Sequence, residues 1–112
     1  MKNRGLRNWL WLILVLAIAG VLVLLTFTNH RYAAANPGGN DFLVHWVGTR
    51  AFLLDEISPY SDETALRIQN MVYGRPAQAG EHELRVAYPL YSMLVFFPFA
   101  LIEDFTWARA VW

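Results

Sequence analysis

Residues 9–27 read Trp9-Leu-Trp-Leu-Ile-Leu-Val-Leu-Ala-Ile-Ala-Gly-Val-Leu-Val-Leu-Leu-Thr-Phe27. These 19 residues carry no charge and a single polar side chain, Thr26. At about 1.5 Å per residue, a helix of this length crosses a hydrocarbon core of roughly 30 Å. A helix also pairs every backbone polar group internally, which hydrocarbon requires. Trp9 and Trp11 stand at the start of the run, where amphipathic rings favour the membrane interface.

The flanks orient this helix. Lys2, Arg4 and Arg7 precede it, and the first acid is Asp41. The positive-inside rule then keeps the N-terminus cytoplasmic and sends the residues after Thr28 outside. A cleaved signal peptide is the competing reading, with Ala33-Ala34-Ala35 as the cleavage site. Signal h-regions run to about 7–15 residues, so the longer stretch favours an uncleaved anchor. Either way residues 29–87 leave the cytoplasm. The expected location is the plasma membrane, with the lipid bilayer as first partner.

Composition agrees with this organisation. Apolar residues make up 56% of the 112, and charged residues only 16%. Soluble domains average roughly 45–50% and 25%. There is no cysteine, which excludes a disulfide scaffold. The zero net charge speaks against nucleic acid as a partner. That zero conceals a split: three cations at the start, five Arg against seven acids over 29–87, and one Arg against two acids over 88–112.

Beyond the apolar run, residues 29–40 read as a linker broken at Pro37-Gly38-Gly39. A helix is expected over 41–55, with Leu43, Trp46, Val47, Arg50, Ala51 and Leu54 on one stripe. Its polar residues form no clean face, which suits a membrane-surface helix or an ordinary buried one. Ser58-Pro59-Tyr60 breaks the chain. Ser61 then caps a helix over 61–73, with Asp62 and Glu63 in its first turn and Gly74 as its C-cap. Residues 74–86 read as loop. Pro89 opens a second apolar helix over 90–102, short for a span and kinked near Pro98. Glu103-Asp104 ends it, in a cytoplasmic turn if the segment spans, and Phe105–Trp112 reads as the start of a third helix. The expected fold is all-α. It has three parts: 1–28 with the first transmembrane helix, 29–87 as an extracytoplasmic loop with two surface helices, and 88–112.

No phosphate loop, nucleophile elbow or metal-ligand spacing occurs, so neither a metal nor a cofactor is expected. His30, His45 and His82 are scattered over a loop, a helix and a second loop.

The order of the remaining features carries a resemblance. After the basic start and the apolar run come Asn40-Asp41-Phe42, His45-Trp46, Arg50-Ala51-Phe52-Leu53-Leu54, Ser58-Pro59-Tyr60 and Tyr88-Pro89. This order resembles the amino-terminal part of the family 87 membrane glycosyltransferases of GT-C architecture, over residues from about 9 to 112. The family's Tyr-Pro-Pro motif reads Tyr88-Pro89-Leu90 here, and Asp55-Glu56 stands where a glycine often precedes the Pro-Tyr pair.

The resemblance implies transfer of a hexose, often mannose, from a polyprenyl-phosphate donor to an extracytoplasmic glycan or glycolipid acceptor. Asp41 matches the family's loop aspartate, a catalytic base; its competing role is to cap the helix that follows. Arg50 and Arg85 are the expected partners of the donor phosphate, since guanidinium matches phosphate oxygens. His45 and Trp46, about one turn beyond Asp41, would shape the acceptor site. Tyr60 and Tyr88, interfacial aromatics in their simplest reading, complete the substrate-binding set. The family spans the membrane many times, so this chain reads as the opening of a larger polytopic enzyme, inactive by itself. The alternative is a non-catalytic, membrane-anchored helical module that binds a lipid or protein partner.

Overall fold

The structure is a computed structural model and describes residues 3–112. Lys2 of the basic start lies outside the described residues, as does the side chain of Arg4. Every regular element among the described residues is helical: α1 (Asn3–Ala35), α2 (Asn40–Leu54), α3 (Asp62–Tyr73), α4 (Met93–Ala100) and α5 (Phe105–Val111), with a 3-10 turn at Leu90–Ser92 leading into α4.

α1 contains the one helix among the described residues long and apolar enough to cross a membrane, Gly5–Ala35. None of its most apolar 18-residue window is buried in the protein. Its two threonine hydroxyls are satisfied locally: Thr26 and Thr28 donate to the Leu22 and Leu24 carbonyls at 2.9 Å. The helix continues to Ala35, through residues expected to be linker. Nothing in 29–35 breaks a helix, and three alanines favour one. The break falls at Pro37-Gly38-Gly39, where Gly39 takes a left-handed φ of 77° just before α2.

α2 is the hub of the folded body. Phe42, Leu43, Val44, Trp46 and Val47 are buried with Ile68 of α3, Leu84 and Val86 of the following loop, Phe96 of α4 and Ala108 of α5. Of the two positions open to α2, the helix takes the buried one within the body. A helix apolar around most of its circumference buries best with neighbours on several sides. Gly48 allows one close approach, because a Cβ there would lie 2.8 Å from the Val86 Cγ2.

α3 lies on the surface and is well capped. The Ser61 hydroxyl accepts from the Thr64 amide, and Gly74 (φ 70°) donates to the Asn70 carbonyl. Gln69 fastens the long loop to it: its side-chain amide donates to the Glu83 carbonyl at 2.7 Å and accepts from the Ala77 amide at 2.8 Å. Arg75 grips Glu81 with both terminal guanidinium nitrogens, Nη1 and Nη2, at 2.8 and 2.7 Å.

The second apolar segment is a bent pair of helices, Leu90–Ala100 and Phe105–Val111, which together have the length and hydropathy of a broken span or a re-entrant loop. α4 is helical for only eight residues, Met93–Ala100, with Pro98 inside it. The sharp turn, 105° between Leu90–Ala100 and Phe105–Val111, falls at the break after Ala100. There Asp104 restarts the chain as α5 by accepting from the Trp107 amide. α5 then packs on the C-terminal end of α1: the Trp107 ring stacks on His30 at 3.7 Å and meets Phe27 edge-on at 5.5 Å.

Candidate functional site

Asp41, His82, Arg85 and Tyr88 line one cleft of about 250 Å³, floored by Val44 and Leu84. α2 supplies Asp41 from its first turn. The loop after α3 supplies the others, and it is held there by Gln69 and by the Tyr73 hydroxyl, which donates to the His82 carbonyl at 3.0 Å.

Asp41 is exposed, and it does not cap its helix. α2 begins one residue earlier, with Gly39 at the capping position and no side-chain cap. A left-handed glycine turns the chain into the helix, leaving the carboxylate to face the cleft.

Arg85 is not a free cation. It donates to Asp62 and Glu83, each at 2.6 Å. These bonds use Nε and Nη2, so Nη1 is the guanidinium nitrogen left to meet a phosphate without displacing either carboxylate. The Tyr88 carbonyl is fixed by the Tyr60 hydroxyl at 2.7 Å, so Tyr60 acts as a brace for Tyr88.

His45 shares the Asp41 side of α2, but its ring is already covered. Tyr88 lies at 3.9 Å on one side and Phe96 at 3.9 Å on the other, the latter within 9° of parallel. Burial pushes the imidazole below its ordinary pKa, partly opposed by the negative charge of Asp41. Its ring faces are therefore unavailable for stacking on a sugar.

Trp46 and Arg50 stand apart from the cleft. At about 100° per residue, nine residues carry Arg50 half a turn round from Asp41. The Trp46 indole N–H is shared between the carbonyls of Phe99 and Ile102, at 3.2 Å each. Arg50 Nη1 donates to the Ala100 carbonyl at 2.7 Å, and its guanidinium lies 5.0 Å from the centre of the Trp46 ring. Together they satisfy the orphan carbonyls at the C-terminus of α4, where positive charge also complements the helix dipole.

His82 was not singled out by sequence. Its Nδ1 accepts from the Leu84 amide at 3.0 Å, which leaves Nε2 as the protonated, donating nitrogen. A lone histidine in a polar loop carries no local signal of such a role. No group of three or more His, Asp or Glu side chains among the described residues could hold a metal ion.

No family model matches this chain, and no curated protein or solved structure matches it.

Proposed function

We propose that the chain is the amino-terminal portion of a membrane hexosyltransferase that uses a polyprenyl-phosphate donor, anchored by α1 with residues 29–87 on the outer face of the plasma membrane. The observation that carries this reading is the exposed, uncapped Asp41 carboxylate in a cleft shared with His82, Arg85 and Tyr88. In the transfer, an acceptor hydroxyl attacks the anomeric carbon and the bond from that carbon to the phosphate oxygen breaks. The phosphate leaves with the electron pair, and the hydroxyl proton passes to Asp41. A positioned base of this kind contributes about 10²–10⁴-fold. His82 Nε2–H and the guanidinium of Arg85 are the donors in the same cleft suited to hold the phosphate or acceptor oxygens.

The test is photolabelling in membranes with a diazirine-bearing polyprenyl-phosphate mannose. Labelling should be competed by unlabelled donor and weakened at least several-fold in Arg85→Gln. Where the chain works within a complete enzyme, Asp41→Asn should lower transfer by about 10²-fold or more at normal expression. Labelling that excess donor does not compete overturns the reading. It would instead favour a non-catalytic anchored module, which the commitment of Trp46 and Arg50 to α4 also suits.

A further inference from the structure

We infer that α4 does not cross the bilayer but lies in the outer leaflet, with its bare apolar face seated at the boundary between headgroups and acyl chains. The inference rests on the reading of α1 as the membrane anchor.

Length argues first against a crossing. The 3-10 turn and α4 together span Leu90–Ala100. At about 1.5 Å per residue these reach roughly half of a 30 Å core. The chain then turns through 105° into α5 rather than continuing.

Position argues next. The apolar run of α1 ends at Phe27. Trp107 of α5 touches both Phe27 and His30, and the Asn29 amide donates to the Ala110 carbonyl at 3.3 Å. Arg109 ties the same helix to the Asn36 carbonyl at 2.8 Å. If α1 fills the hydrocarbon, α5 stands at its outer edge. α4 is joined to α5 by a break of at most four residues, so it cannot lie far from that edge.

Surface chemistry names the occupant. Met93, Phe96 and Ala100 face the protein core. The other side of α4 is bare: Leu94 is 79% exposed and Tyr91 73%, beside Phe97 and Leu101. Phe52 and Leu53, from the end of α2, extend it into an open apolar pocket of about 370 Å³. No charged side chain occurs between Ala87 and Ile102. A monomer exposes apolar patches of this kind mainly where they meet a partner or a membrane. The α1–α5 junction keeps this patch beside lipid. An in-plane helix buries its apolar face about 5–10 Å into the headgroup and acyl boundary. Glu103 and Asp104, both exposed, would then face outer water instead of the cytoplasm.

The absence of native cysteine allows single labels at chosen depths. Gln78→Cys, Glu103→Cys and Leu94→Cys would be made in the full chain in intact cells and in phosphatidylcholine–phosphatidylglycerol vesicles. An impermeant maleimide should modify positions 78 and 103 from the outside without permeabilisation. A fluorophore at position 94 should be quenched more by a doxyl group near the headgroup than by one near the acyl end. It should also resist aqueous iodide several-fold better than the same fluorophore at position 78. Outside labelling at 78 with labelling at 103 only after permeabilisation overturns the in-plane helix and leaves the anchor reading intact. Iodide quenching at 94 equal to that at 78, or protection from both quenchers, also overturns it, the latter in favour of a protein cover. Labelling at 78 only after permeabilisation, or release of the chain by alkaline carbonate, overturns the anchor and this inference together.

Discussion

Three single residues expose how the body is held. Thr49 is fully buried and its hydroxyl has no hydrogen-bond partner among the described residues. A buried, unsatisfied hydroxyl costs about 1–3 kcal/mol. Thr49→Val replaces it with a methyl of similar shape and should stabilise the fold by about 1 kcal/mol, read from denaturant midpoints in detergent. Gly39 behaves oppositely. Its φ is 77°, and a Cβ would lie 2.7 Å from Arg109 Nε. Gly39→Ala should therefore destabilise by about 1–3 kcal/mol from backbone strain alone, with loss of the Arg109–Asn36 contact as a second effect. His45 supplies a pH dependence. Its folded pKa lies below its ordinary value because of burial, and Asp41 offsets this only in part. The unfolded chain therefore binds the proton more readily. The full stability is present above about pH 6.5 and is lost as pH falls through the lower folded pKa. His45→Phe keeps the stack between Tyr88 and Phe96 and should flatten that acid slope. A slope unchanged in the variant would assign the acid loss to other groups.

At the scale of elements, the main device is the grip of α2 on α4. Two side chains one turn apart, Trp46 and Arg50, reach the carbonyls of Phe99, Ala100 and Ile102. Hydrogen bonds from charged groups are worth roughly 1.5–3 kcal/mol. Arg50→Met should therefore speed amide exchange across α4 and the turn after it, while α3 keeps its protection. Equal exchange in both helices would mean the bond contributes nothing. The caps of α3 were legible because Ser61 and Gly74 act on atoms three or four residues away. The stripe on α2 was legible as well, but its partners were not. Arg50 reads as a phosphate ligand until the carbonyl end of α4 is placed beside it. Asp41 reads equally as a cap until the helix start is placed one residue earlier, where Gly39 takes the capping position and no side chain caps the helix.

Seen whole, the protein is a long helix with a small body at one end, 72 Å in its longest dimension. Among the described residues, α5 is the one helix against which α1 packs substantially. Trp107 is central to that junction, through one stacked and one edge-on ring contact. Aromatic pairs contribute about 0.5–1.5 kcal/mol each beyond their buried area. Trp107→Ala should leave the α2–α3 core folded yet broaden the distance distribution between spin labels on α1 and α3. An unchanged distribution would show that Asn29 and Arg109 suffice to hold the junction. The amino-acid sequence alone determined the all-helical class, the long apolar helix and the breaks at Pro37-Gly38-Gly39 and Ser58-Pro59. Those properties depend on hydropathy and backbone preference over a few neighbouring residues. Tertiary structure alone decided that α2 is the core, that Arg50 and Trp46 serve α4, and that α5 turns back onto α1. These depend on which surfaces meet across 50 or more residues of chain, as in the Arg50–Ala100 and Asn29–Ala110 contacts, and no local pattern encodes such a meeting.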